Sequence, residues 1–92
     1  MANYEKQNRM LTIFKALANS NRIKILLMIN EAQENSMNVN EIFDQLDVSQ
    51  PTISEHLKLM RTNKILRAKQ DGQNMYYSIS EPLIFEFLKH MK

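Results

Sequence analysis

Val48-Ser49-Gln50-Pro51-Thr52-Ile53-Ser54-Glu55-His56-Leu57-Lys58 is the stretch whose reading decides the fold. Ile53, Leu57 and Met60 stand at i, i+4 and i+7, which places them on one stripe of a helix and predicts that the stripe is buried. The other side presents Pro51, Ser54, Glu55, Lys58, Arg61 and Thr62. Ser49 is suited to cap the helix, and Pro51 sits early in it, where a missing amide proton costs no hydrogen bond. Such a helix, apolar inside and bearing short polar and basic groups outside, fits the groove edges and phosphates of DNA.

Reading outward, Asn38 stands three residues before Glu41, a capping-box spacing, and a short helix to Leu46 follows with Ile42 and Leu46 facing inward. Asp47 begins the turn, so residues of about 39–62 read as helix, tight turn, helix. Upstream, a helix of about Tyr4 to Ala18 places Met10, Leu11, Phe14, Leu17 and Ala18 on an apolar stripe. Asn19 caps a second helix running to about Glu31, whose Ile23, Ile25, Leu26, Leu27, Met28 and Ile29 cover more than one stripe and predict the buried centre of the domain. Gln33 to Asn38 reads as a loop.

After Thr62 the period changes from helical to alternating. Leu66 and Ala68 point one way and Arg67 and Lys69 the other, followed by Met75, Tyr77 and Ile79 inward against Tyr76 and Ser78 outward. Asp71-Gly72, with the only glycine of the chain, marks the hairpin turn, which needs positive φ. Ser80 is then expected to cap a last helix, about 81–91, with Pro82 in its first turn. The sum predicts a mainly α fold with a small β-hairpin: a winged helix-turn-helix of four helices, a two-stranded wing at about 65–79, and a C-terminal fifth helix, in one domain over residues 1–92.

Composition narrows the setting. The chain has 92 residues, a net charge of +2 and no cysteine, which excludes disulfides, thiolate metal sites and thiol redox sensing. No secretory signal or apolar run of membrane-spanning length is visible, so a cytoplasmic protein is expected. Charge is segregated: Lys58, Arg61, Lys64, Arg67 and Lys69 form a run without acids, whereas Glu31, Glu34, Glu41, Asp44 and Asp47 form one without bases. The basic run, a solvated face if it stood alone, directly follows the reading helix and continues into the hairpin. An enzyme is not expected, since a glycine-rich phosphate loop and a histidine-carboxylate cluster are both missing. Seven methionines at helical spacing read as core filler.

The candidate DNA contacts are Ser49, Gln50, Thr52, Ser54, Glu55, His56, Lys58 and Arg61 on the helix, with Gln50 and Thr52 at its entrance. Arg67, Lys69, Gln73 and Asn74 on the wing are candidates for backbone or minor-groove contact. His56 has two readings, a phosphate or groove contact and a packing role at the helix corner. Glu55 also has more than one: accepting a hydrogen bond from cytosine, pairing with Lys58, or rejecting wrong partners. Six apolar side chains between Leu83 and Met91 exceed what one buried face needs, which points to an interface.

Three patterns resemble the ArsR family of small bacterial winged-helix repressors: Leu17-Ala18-Asn19-Ser20-Asn21-Arg22-Ile23-Lys24-Ile25-Leu26, the recognition helix Val48 to Met60 with its Ser54-Glu55-His56-Leu57 core, and the wing Asp71 to Ile79. Lys64 stands where the family usually has glycine, and Asn63 is expected to supply the left-handed cap. The resemblance implies a homodimer built on the first and last helices, here through Leu11, Phe14, Leu83, Ile84, Phe87, Leu88 and Met91, that binds an inverted repeat in double-stranded DNA and blocks transcription. Many members respond to metals. Here no cofactor or metal is expected: Glu81 matches the family's carboxylate, but Leu83 stands where its histidine would be, and the pair Glu86 and His90 falls short of a closed site. Nothing in the sequence identifies an effector. A second class of function remains open, a winged helix that docks a partner protein through the same face.

Overall fold

The computed structural model describes residues 4–91. In chain order it contains α1 (Tyr4–Leu17), α2 (Ser20–Glu31), a 3-10 turn (Gln33–Asn35), β1 (Met37–Asn38), α3 (Val39–Gln45), α4 (Gln50–Thr62), β2 (Leu66–Asp71), β3 (Asn74–Ile79) and α5 (Pro82–Lys89). The fold is the winged helix-turn-helix expected from the sequence, with one addition to the sheet.

Local chemistry explains most boundaries. The Asn19 side chain accepts from the Arg22 amide at the start of α2. Asn38 and Glu41 exchange hydrogen bonds in a complete capping box at α3, and Ser49 caps α4 with Pro51 in its first turn. Each cap satisfies amides that the first helical turn leaves unpaired. Gly72 turns the hairpin at φ 64°, and β2 pairs with β3 from Leu66↔Ile79 to Asp71↔Asn74.

Helix α2 forms the centre. Ile25, Leu26 and Ile29 are completely buried, together with Ile42, Ile53, Leu57, Met60, Ile65, Ile84 and Leu88 from the surrounding elements, while Ile23, Leu27 and Met28 pack against this cluster from its margin. Burying one such aliphatic side chain contributes about 1.5–3 kcal/mol, and no polar or charged residue among those described is buried to offset it.

Four expectations need correction. In α1 the stripe divides: Leu17 is buried and Met10 packs at the core's margin, alongside the inward Ile13 and Ala16 that the stripe left out, whereas Leu11 and Phe14, placed at the pairing face, are more than half exposed and Ala18 is also at the surface. The helix is apolar on two sides, so its pattern did not choose between two phases. The expected loop of 33–38 holds the two-residue strand β1, which adds to the edge of the hairpin through Met37↔Tyr77 and Asn38↔Tyr76 and makes the sheet three-stranded in the order β1-β3-β2. A two-residue strand has no period to read. The left-handed residue after α4 is Lys64, at φ 58°, not Asn63. The amide of Ile65 donates to Met60 O (2.8 Å) and that of Lys64 to Arg61 O (3.0 Å), the paired bonds of a Schellman motif. Finally, Glu81 rather than Ser80 caps α5, accepting from the Leu83 amide, because the Ser80 hydroxyl is drawn to Lys64 O at 3.0 Å.

A β-carbon in the left-handed region costs free energy that glycine avoids, less the entropy glycine loses on folding. Lys64→Gly is therefore expected to stabilise the fold by about 0.5–1 kcal/mol, read as a higher urea midpoint with an unchanged slope. A lower midpoint would mean that the lysine side chain has a stabilising contact outweighing its strain.

Candidate nucleic-acid interface

The buried stripe Ile53, Leu57 and Met60 anchors α4 and thereby aims its opposite side at solvent. Ser54, Glu55, Lys58 and Arg61 are all exposed there. Among the described residues, none of these four side chains is engaged in a hydrogen bond or ion pair, so Glu55 does not pair with Lys58. A helix face of two cations, one hydroxyl and one carboxylate, free of internal partners, presents donors and acceptors to whatever docks on it.

The entrance to α4 is more constrained. The hydroxyls of Ser49 and Thr52 lie 2.8 Å apart and are hydrogen bonded to each other. Gln50 donates from Nε2 to Asn40 Oδ1 at 3.0 Å, which ties α4 to α3 and restrains the amide. Asn40 was not singled out from sequence; its signal is modest, a polar residue on the exposed side of the first turn of α3.

His56 lies on the flank of α4 that faces α1 and α2. Its Nδ1 stands 3.3 Å from Arg22 Nη1; the guanidinium can only donate, so Nδ1 accepts and the ring proton resides on Nε2. Arg22 also donates from Nε to Ala16 O (2.6 Å) and from Nη2 to Lys15 O (3.2 Å), closing the C-terminal turn of α1. Of the two readings of His56, the contact seen is the one at the helix corner.

Burial is the main cause that pushes the His56 pKa below its ordinary 6.5; the charge of Arg22 adds to the shift and Glu55 opposes it. A lowered folded-state value means that the unfolded chain binds the proton more readily. The stability contributed is complete above pH about 6.5 and is lost as pH falls through the lowered value. Urea titrations between pH 5 and 7.5 should show the wild type losing stability toward acid relative to His56→Gln. Parallel curves would remove His56 from the acid response.

The wing separates into two parts. Gln73 and Asn74 are exposed at the hairpin end, where Gln70 Nε2 braces the turn by donating to Gly72 O at 2.9 Å. Arg67 and Lys69 are exposed on the outer face of the sheet, opposite the face whose Leu66, Ala68 and Ile79 turn inward. Arg67 is further held by Ser78, with Nε donating to Oγ at 3.1 Å. It lies at the base of the ribbon, five residues or about 17 Å from Gly72 at strand rise. Arg67 also lines a cleft with Glu34, Asn35, Ser36 and Phe85.

The expected pairing residues also divide. Ile84 and Leu88 are fully buried in the subunit's own core and so are not surface residues. Phe87 packs against that core from its edge. Tyr4, Leu11 and Phe14 on α1, with Leu83, Phe85 and Met91 in the C-terminal segment, are large exposed apolar side chains. A groove of about 600 Å³ along α1 is lined by Lys6, Gln7, Met10, Leu11 and Phe14.

The carboxylates considered as metal ligands are engaged elsewhere. Glu81 pairs with Arg9 at 2.9 Å and Glu86 with Lys89 at 3.0 Å. Among the described residues, no helix is long and apolar enough to cross a membrane.

Comparison with known proteins bears on this surface. Residues 19–67 match the family described as bacterial regulatory protein, arsR family. An uncharacterized HTH-type transcriptional regulator of Methanocaldococcus jannaschii is 35% identical over 85 residues, covering 92% of this chain and 93% of that protein. The transcriptional repressor PagR of Bacillus anthracis is 35% identical over 78 residues, covering 84% of this chain and 75% of its own. The crystal structure of PagR superimposes with a TM-score of 0.88 at 28% identity, over 98% of this chain and all of that one. A homodimeric winged helix-turn-helix domain from Mycobacterium bovis shares the fold at a TM-score of 0.81 and 21% identity, over 99% of this chain and 86% of that one. Several other curated relatives are longer, and the chain spans about half to three fifths of them.

Proposed function

The chain belongs to the arsR family of bacterial regulatory proteins, DNA-binding transcriptional regulators, and from that premise we propose that it is a homodimeric repressor acting in the cytoplasm on an inverted-repeat operator without control by metal. The observation that carries this reading is the outer face of α4, where Ser54, Glu55, Lys58 and Arg61 stand exposed over a fully buried stripe and, among the described residues, make no hydrogen bond or ion pair. In a dimer, two such helices enter successive major grooves about one helical turn apart, and the hairpin ends Gln73 and Asn74 reach the flanking backbone. The exposed apolar residues of α1 and of the C-terminal segment supply the pairing face, which also matches the homodimeric state named for the Mycobacterium bovis domain. Metal independence rests on the chain's lack of cysteine and on the engagement of Glu81 and Glu86 by Arg9 and Lys89.

The test is fluorescence-anisotropy binding to the DNA upstream of the protein's own gene, against scrambled DNA, at several salt concentrations. Selective binding is expected, with a salt slope corresponding to roughly 6–10 neutralised phosphates. Lys58→Ala should weaken all sequences alike and reduce the slope by about two, one phosphate contact in each protomer, whereas Ser54→Ala should relax sequence preference with little change in slope. Zinc, cadmium and arsenite should leave the affinity unchanged. Absence of any DNA preference in genome-wide selection, with stoichiometric recovery of a protein partner, would favour the docking alternative, in which the same face binds protein.

A further inference from the structure

Arg9 occupies the inner side of α1, in phase with Ile13 and Ala16 and across the helix from the exposed Tyr4, Leu11 and Phe14. Its guanidinium donates from Nε (3.1 Å) and Nη2 (2.9 Å) to Glu81 Oε1. It also donates from Nη1 to Asn63 O and from Nη2 to Lys64 O (3.2 Å). The other oxygen of Glu81 caps α5. One planar group thus joins α1, the left-handed end of α4 and the first turn of α5. Farther along α1, Arg22 links the last carbonyls of that helix to His56 of α4.

Between these two attachments the seam is open. A cleft of about 380 Å³ is lined by Thr12, Lys15, Ala16, Arg22, Leu59 and Asn63, so interlocked side chains do not alone set the angle between α1 and α4. The fixed fork of an arginine, bonded to a carboxylate and two carbonyls at once, is geometrically far more restrictive than a point charge. Small angles matter here: a rotation of roughly 10° about the C-terminal end of α4 moves its N-terminal end, about 20 Å away, by about 3 Å, close to the rise of one base pair.

We propose that Arg9 is a positioning residue for DNA recognition: by fixing the pairing helices to the end of α4, it sets the separation of the two reading helices and hence the half-site spacing the protein selects. This rests on the dimeric DNA-binding reading above. Arg9 touches no base in this scheme and acts through α4.

The experiment selects DNA from a library in which two half-sites are separated by spacers of graded length, using the wild type, Arg9→Gln and Glu81→Gln. Sedimentation equilibrium and thermal melting are measured on the same samples. The wild type is expected to favour one spacing by about tenfold over its neighbours at one base pair, on the scale of a single mismatched pair. Arg9→Gln and Glu81→Gln should remain folded and dimeric, with that preference reduced to about threefold or less. If Arg9→Gln fails to fold, Arg9→Lys carries the test, because the ammonium retains the charge opposite Glu81 without the fork that spans both carbonyls. Unchanged spacing preference in the folded variants, or equal weakening at every spacing, overturns the inference and leaves Arg9 a purely structural residue. A wild type that is monomeric or indifferent to spacing overturns the dimeric reading itself, and with it the inference; the two failures are distinguished by the protein in which they appear.

Discussion

Phe14→Asp is expected to leave the subunit folded, to make it monomeric at micromolar concentration, and to reduce operator affinity by about 10²–10⁴-fold, the avidity lost when two linked sites become independent. Phe14 is 55% exposed in the isolated subunit, so an aspartate there meets water and disturbs no core contact. In a paired state that covers this face, the same carboxylate would be buried without a partner, a burden that exceeds what a small interface gains. Each half-site would then be bound singly, and the second helix would contribute nothing to retention. Sedimentation equilibrium, far-ultraviolet circular dichroism and anisotropy on one preparation separate the three quantities. A dimer that persists in Phe14→Asp would move the pairing face away from α1.

Leu57→Ala is expected to cost about 2–5 kcal/mol, the sum of lost transfer free energy and the cavity left behind. Leu57 is fully buried on α4 between Ile53 and Met60, in the core cluster that also holds Ile25, Leu26 and Ile29 of α2. Small domains hold roughly 5–15 kcal/mol in total, so the variant gives up a large share of its stability without any contact to DNA having been changed. Its neighbour Lys58 is exposed, and Lys58→Ala is expected to stay within about 0.5 kcal/mol of the wild type in stability while weakening DNA binding. Urea unfolding at matched protein concentration, as a dimer requires, measures both. Similar stability losses in the two variants would contradict the assignment of the two sides of α4.

The contrast between α1 and α4 shows where the sequence was legible. In α4 the apolar residues Ile53, Leu57 and Met60 occupy one stripe, and polar groups occupy most of the rest, so only one phase buries the apolar side. In α1, Leu11 and Phe14 compete with Ile13 and Leu17 for the core, and the exposed pair is as apolar as the buried one. Helix α5 posed the same difficulty: Leu83, Ile84, Phe85, Phe87 and Leu88 are nearly continuous, and burial of Ile84 and Leu88 followed from the direction in which the chain leaves β3. The arginines were available to a closer reading. Arg9 shares the phase of Ile13 and Ala16, and a guanidinium on a buried stripe requires acceptors, here Glu81 and the carbonyls at the end of α4.

What the sequence determined by itself is what depends on neighbours along the chain: the caps at Asn19, Asn38 and Ser49, the turn at Gly72, the buried stripe of α4 and the alternation of the hairpin. Each arises from a hydrogen bond or a backbone angle set within a few residues, so local chemistry suffices. Tertiary structure alone decided which side of α1 turned inward, the pairing of Met37 and Asn38 with β3, and the convergence of Arg9, Glu81 and the end of α4. Those features join residues as many as 72 positions apart. They exist only once burial of the α2 core has fixed the relative positions of the elements, a cooperative outcome that no short window of sequence contains.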